Sequence, residues 1–98
     1  MSMAEQIEQK LTRAFAPTRI AVFDDSHKHA GHAGARPEGE THFRVELVSP
    51  RFEGVGRVDR QRLVYGELSA ELSSSVHALQ LKILTPGEDV AAMDRDRA

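Results

Sequence analysis

The sequence contains no cysteine among its 98 residues. A disulfide-stapled fold is therefore excluded, and so is any site in which this chain alone supplies thiolate ligands to zinc or to an iron–sulfur cluster. A soft-metal site built here would be incomplete, so it would need sulfur from a partner.

Long hydrophobic runs and a strong charge imbalance are missing as well. No apolar stretch approaches the ~20 residues that span a bilayer. The formal net charge is −2, which gives no overall attraction to nucleic-acid phosphates. The first residues show neither a signal nor a transit pattern. We therefore expect a cytosolic protein of one small domain, since 40% hydrophobic and 29% charged residues are typical of soluble globular chains.

Histidine is concentrated in one part of the chain. Four of the five histidines lie between residues 24 and 43: His27, His29, His32 and His42. Imidazole titrates near neutral pH and is a common metal ligand, so this density indicates proton or metal chemistry. Ser26 beside His27 lacks the strand–turn–helix surroundings of a catalytic serine, and we expect no enzymatic activity.

Apolar periodicity predicts helices over residues 3–15 and 58–72, and strands over 18–24, 41–49 and 76–84. Ser2 and Glu5 form a capping-box pattern before the first helix. Residues 25–40 contain three glycines and a proline without apolar period, which indicates a loop of about sixteen residues, a length that is usually functional or disordered. Residues 1–88 form the predicted domain, and the charged residues 89–98 are expected to be a disordered tail.

The order helix, strand, strand, helix, strand indicates a two-layer α+β domain with a three-stranded mixed sheet and helices on one face. The first two strands form a hairpin and are antiparallel, whereas the connection of about 27 residues between the second and third favours a parallel crossover. This topology places the histidine loop and His77 at the same edge of the sheet.

Each histidine also has an ordinary interpretation. His42 is then a surface residue of an amphipathic strand, the loop histidines are solvated, and His77 is a strand-start residue bonded to backbone. The spacing alone does not decide between these interpretations and metal ligation.

Three arginines, Arg57, Arg60 and Arg62, lie at the start of the second long helix, where they can contact phosphates. Arg60 and Arg62 project about 160° apart on a helical wheel, so a solvated helix is the better interpretation. The apolar stripe predicted for this helix consists of Val64, Tyr65, Leu68 and Leu72. Leu63 falls outside this stripe and, beside Arg60, hints at a protein contact. Gly54-Val55-Gly56 lacks the rest of a phosphate-binding motif and is expected to be a plain turn.

Several motifs, taken together in order and spacing over residues 4–88, resemble the BolA family. They are Asp24-Asp25-Ser26-His27-Lys28-His29, Gly39-Glu40-Thr41-His42-Phe43, Val48-Ser49-Pro50-Arg51-Phe52-Glu53-Gly54, Arg60-Gln61-Arg62-Leu63-Val64-Tyr65 and Val76-His77-Ala78-Leu79. The resemblance implies a KH-like fold of class II. Many relatives have Arg-His-Arg where this chain has Arg60-Gln61-Arg62, so no role is carried over to position 61.

The resemblance also implies a function: a non-enzymatic partner of monothiol glutaredoxin that shares a bridging two-iron two-sulfur cluster in iron trafficking or sensing. The cluster is held with a glutaredoxin cysteine, glutathione and histidines of this chain, and the isolated chain holds none. By position the ligands are His77 and His29, with His32 and His27 as alternates.

The same family is linked to transcription and to the stress response. This supplies an alternative in which Arg57, Arg60 and Arg62 contact DNA. No membrane partner is implied, and the free protein is expected to be a monomer or a weak homodimer.

Overall fold

The computed structural model describes residues 2–25 and 42–97. Four helices and three strands follow in the order α1 (Met3–Phe15), β1 (Arg19–Asp24), β2 (His42–Val48), α2 (Arg57–Glu67), α3 (Ser69–Ser74), β3 (Ala78–Leu84) and α4 (Pro86–Arg97), with a short 3₁₀ helix at Pro50–Phe52 before α2. The predicted α+β fold is confirmed. The loop predicted over residues 25–40 lies outside the described residues from position 26 onward.

Helix α1 begins and ends as local chemistry requires. The Ser2 hydroxyl accepts from the Glu5 N–H while the Glu5 carboxylate accepts from the Ser2 N–H, which completes the predicted capping box. Ile7, Leu11 and Phe15 follow at helical spacing and are buried. The helix therefore presents one apolar face to the sheet.

The sheet has the strand order β1-β2-β3. Strands β1 and β2 are antiparallel, and Val22 faces Val45 across the pair. Strands β2 and β3 are parallel, and His42 is in register with Ala78. Both orientations match the prediction. The end of β1 and the starts of β2 and β3 consequently lie at one edge of the sheet.

The core fills the space between the sheet and the helices. It contains Phe43, Val45 and Leu47 from β2, and α1 and α2 add their buried side chains. Phe52 of the 3₁₀ helix is fully buried and its ring centroid lies 5.0 Å from that of Phe15. Because Phe52 bridges the turn to α1, it fixes how the chain enters α2.

The helix predicted over residues 58–72 is interrupted. Leu68 leaves the helical region with φ −103° and ψ 16°, and it separates α2 from α3. Gly66 is a weak helix former, and the buried Leu68 is held by core packing, which together account for the break. Tyr65, predicted on the inner stripe, is 37% exposed. Strand β3 begins at Ala78 rather than at residue 76.

The prediction of a disordered tail over residues 89–98 is wrong for the described residues, because α4 continues to Arg97. A second capping box starts this helix: the Thr85 N–H donates to the Glu88 carboxylate at 2.8 Å, and the Glu88 N–H donates to the Thr85 hydroxyl at 3.3 Å. Pro86 at the first helical position needs no hydrogen-bond acceptor. The sequence Thr85-Pro86-Gly87-Glu88 carries this capping-box pattern, but the charged residues that follow it led to the prediction of a disordered tail.

Two ion pairs tie α4 to the rest of the domain. Arg60 Nη1 lies 2.7 Å from Glu88 Oε1, and Arg19 Nη2 lies 2.8 Å from Asp89 Oδ1. Arg60, together with the Thr85 backbone, holds the pKa of Glu88 at about 2 instead of 4.5. The hydrogen bond from Arg19 likewise lowers the pKa of Asp89. Both carboxylates therefore stabilise the fold in their charged form.

This arrangement predicts a pH dependence of stability. A carboxyl whose pKa is lower in the folded state stabilises that state above its unfolded pKa and loses the effect as pH falls. We expect the free energy of unfolding to fall between pH 4.5 and about 2 as Glu88 is protonated. Urea unfolding over a pH series measures this. Glu88→Gln should make the fall shallower, and an unchanged fall would contradict the assignment.

Candidate functional site

His77 lies at one end of the sheet, where the two parallel strands begin. This end, formed by Asp25, His42 and His77, is the histidine edge. His77 precedes β3 and is exposed, whereas its neighbour Val76 is buried in the core. The N–H groups of Ser75 and Val76 both donate to the Glu71 carbonyl, at 3.1 and 3.0 Å, and fix the turn out of α3. The backbone thus presents the His77 imidazole to solvent from a rigid anchor.

His42 lies at the same edge. It begins β2, opposite Ala78, so the register places it beside the residue that follows His77. Its carbonyl accepts from the Asp25 N–H at 2.9 Å, which closes the antiparallel pair of β1 and β2. His42 is half-buried and takes part in interactions of its own. The register therefore places the backbones of His42 and His77 close to each other at this end of the sheet.

The same edge anchors both ends of the histidine-rich segment. Asp25 is the last described residue before it and His42 the first after it. Arg44 Nε donates to Asp25 Oδ2 at 3.0 Å, and its guanidinium carbon lies 4.3 Å from the ring centroid of Phe23. These contacts hold the anchors in place. His27, His29 and His32 lie outside the described residues.

A metal ion requires several donor side chains in one place. Among residues 2–25 and 42–97, no group of three or more histidine, aspartate or glutamate side chains is arranged to hold a metal ion. The edge offers imidazole nitrogen and the sequence offers no thiolate. This chemistry fits a cluster only if a partner supplies its thiolate ligands, since such clusters accept histidine in place of some cysteines.

Glu71 supports this edge and was not identified from the sequence. Its carboxylate is buried and accepts from Lys10 Nζ at 3.0 Å and from Gln6 Nε2 at 3.0 Å. Burial acts to raise the pKa of Glu71, but the bonds from Lys10 and Gln6 lower it overall. Because these partners lie more than 60 positions away in sequence, no local pattern pointed to them.

The prediction that Arg60 contacts DNA or a protein partner does not fit its position in the structure. It is only 8% exposed, and its guanidinium donates to the carbonyls of Val55 at 2.8 Å and Ile83 at 3.1 Å as well as to Glu88. A helical wheel shows spacing but not such long-range partners. Arg60 thus belongs to the framework of the fold.

The other two arginines and Leu63 lie on the outside of α2. Arg57 is exposed, and among the described residues Arg62 has one side-chain contact, with Asp59 at 3.5 Å. Leu63 is 48% exposed. These residues are available to a partner, but they lie on the helix and not at the histidine edge.

No helix in the described part of the chain has both the length and the apolar character needed to cross a membrane.

Comparisons with known proteins agree with this architecture. A family model described as "BolA-like protein" matches residues 11–88. The DNA-binding transcriptional regulator BolA of Escherichia coli is 45% identical over 85 residues, which cover 87% of this chain and 77% of that protein.

Two solved structures from Arabidopsis thaliana superimpose on the fold. BolA1 matches with a TM-score of 0.79 at 38% identity, covering 90% of this chain and 96% of that one. The BolA domain of SufE1 matches with a TM-score of 0.79 at 41% identity over the same shares. Since the family model spans most of the chain and the fold superimposes on solved relatives over 90% of its length, the chain belongs to the BolA family.

Proposed function

We propose that this protein is a non-enzymatic partner of monothiol glutaredoxin. It co-ligates a bridging two-iron two-sulfur cluster through His77 and one histidine of the segment 26–41, for which His29 is assigned and His32 and His27 are alternates. The role is in iron–sulfur trafficking or in iron and redox sensing. One observation carries the proposal: His77 is exposed at the sheet edge where both ends of that segment are anchored.

The chemistry of the ligands supports a shared cluster. Histidine can replace two of the four protein ligands of a two-iron two-sulfur cluster, and the remaining ligands are then thiolates. This chain has none, so a partner cysteine and the thiol of glutathione would complete the shell. When bound, the cluster supplies one-electron redox chemistry. The chain would contribute two imidazoles. Glu71 fixes the turn before His77, and Arg44 holds Asp25 just before the segment 26–41.

Reconstitution tests the proposal. A monothiol glutaredoxin is loaded with glutathione and the cluster, this protein is added, and visible absorption and circular dichroism are recorded. We expect a mixed spectrum that differs from that of the glutaredoxin alone, because replacing a sulfur ligand by imidazole nitrogen changes the charge-transfer bands. Unchanged spectra and the absence of a heterocomplex would refute the partnership.

Variants then locate the ligands. His77→Ala should abolish the mixed spectrum, whereas Gln80→Ala, an exposed substitution three residues further along the chain, in β3, should preserve it. Single alanine variants at His27, His29 and His32 identify the second ligand. If His77→Ala retained the mixed spectrum, the partnership could stand but the site would be wrong.

DNA binding is the second candidate function. The name of the Escherichia coli relative and the exposed positions of Arg57 and Arg62 favour it. A salt titration of duplex binding measures the number of phosphate contacts, and Arg62→Ala should reduce the slope by about one. Without binding at low salt this function is excluded. Arg60 is not a suitable variant for this test, because its buried bonds to Val55, Ile83 and Glu88 stabilise the fold.

A further inference from the structure

Strand β3 is an outer strand of the sheet, and among the described residues β2 is its only strand neighbour. Its outer side faces α2. Arg60 Nη1 donates to the Ile83 carbonyl at 3.1 Å, and the Tyr65 hydroxyl donates to the Leu79 carbonyl at 3.4 Å. The Leu84 carbonyl instead accepts from the Ser49 N–H, on the side of β2. Odd-numbered residues of β3 therefore direct their backbone groups to the outer edge.

Leu81 lies midway between the two carbonyls that α2 occupies. By the same alternation its N–H and C=O point to the outer edge, where no described strand pairs with them. An unpaired strand edge is a template for another extended segment, which bonds through its main chain. Arg60 and Tyr65 of α2 thus bond the carbonyls of Ile83 and Leu79. The backbone groups of Leu81, which lies between them, have no strand partner among the described residues.

A cavity of about 240 Å³ lies directly beside this open position, between β3 and the beginning of α2. Leu81, Ile83 and Leu84 contribute apolar surface, and the charged lining consists of Arg57, Arg60, Lys82 and Glu88. Three cations therefore face one carboxylate. Since Glu88 is paired with Arg60, the exposed Arg57 and Lys82 leave the cavity with a positive surplus.

We propose that the groove between β3 and α2 docks an extended acidic segment of a partner protein, which pairs with Leu81 through its main chain and places a carboxylate between Arg57 and Lys82. The chain itself shows that a carboxylate is accepted here, because Glu88 lies 2.7 Å from Arg60 at the wall of the same cavity. Leu81 is four residues beyond His77, or about 13 Å along the chain. The centre of the groove is thus distinct from the histidine edge.

Two observations favour a peptide over a nucleic acid as the occupant. Only a polypeptide supplies the alternating donors and acceptors that complete a strand edge. The whole chain carries a net charge of −2, so that a single local pair of cations gives little attraction to a polyanion.

A short capped peptide in which threonine alternates with glutamate is the probe. Titrated into the isotope-labelled full-length protein, it should shift the amide resonances of β3 and α2 and slow hydrogen exchange at the Leu81 N–H. A peptide with proline at its centre lacks a main-chain donor and should lose binding, and a peptide with glutamine in place of glutamate should bind more weakly.

Paired charge reversals test the electrostatics. Arg57→Glu combined with Lys82→Glu should weaken binding by roughly tenfold or more. Arg13→Glu combined with Arg62→Glu makes the same change in net charge at exposed positions outside the cavity and should leave the affinity within about twofold of wild type. Circular dichroism confirms that both variants are folded.

Four results would overturn the proposal: no binding at about 1 mM peptide, binding without protection of Leu81, equal binding of the proline peptide, or equal weakening by both pairs of reversals. A single-stranded oligonucleotide that protects Leu81 and displaces the peptide would assign the groove to nucleic acid instead.

Discussion

Phe52→Ala is expected to lower the free energy of unfolding by about 3–5 kcal/mol, which is a large share of the stability of a small domain. Phe52 is fully buried in the turn before α2, and its ring packs on that of Phe15 with centroids 5.0 Å apart. Alanine would leave a cavity that α1 and β2 cannot fill without moving. Urea unfolding followed by circular dichroism measures the loss.

Phe23→Ala is the matched control, because it removes the same atoms from a ring that is 38% exposed. Its interaction with the Arg44 guanidinium contributes about 0.5–1 kcal/mol, so we expect a loss near 1 kcal/mol. Equal losses in the two variants would show that the 3₁₀ helix is not an organising part of the core.

Arg60→Met is expected to destabilise the protein by about 2–4 kcal/mol, although methionine preserves most of the aliphatic length. The substitution leaves the carbonyls of Val55 and Ile83 without their donor and removes the ion pair to Glu88. We assign most of the loss to the two carbonyls, since the Glu88 side chain is largely open to water and screening weakens its pair. Thermal and urea unfolding measure the effect.

Arg62→Met serves as the comparison on the same helix. Its guanidinium projects into solvent and makes only a 3.5 Å contact with Asp59, so the change should stay within about 0.5 kcal/mol. Should Arg60→Met prove as stable as wild type yet lose binding to a partner or to DNA, Arg60 would be a contact residue after all.

The sequence predicted what depends on local pattern and connection length. The capping box of Ser2 and Glu5 predicted the start of α1, and the alternation of apolar and polar residues predicted the strands. The long connection before β3 predicted a parallel crossover. The position of His77 beside the start of β2 followed from that topology alone. Membership of the BolA family was likewise predicted from the motifs and is confirmed.

The sequence could not show which residues pair with the buried charges. Arg60 looked like a surface arginine because Ile83 and Glu88 lie 23 and 28 positions away, and Glu71 looked like an ordinary helical carboxylate because Lys10 lies 61 positions away. Helix α4 was different. Its start signal is local, but it was outweighed by the charged residues that follow. The roles of His77 and of the segment histidines stay predictions.

The parallel pairing of β3 with β2 has a consequence for how the protein is made. His77 reaches the histidine edge only after the chain has passed through α2 and α3 and β3 has docked, because its place beside the start of β2 depends on the non-local pairing of β3 with β2. Non-local strand pairing of this kind is slow relative to helix formation. On the proposed function, the protein would therefore complete its cluster-binding edge only when synthesis and folding of the domain are finished.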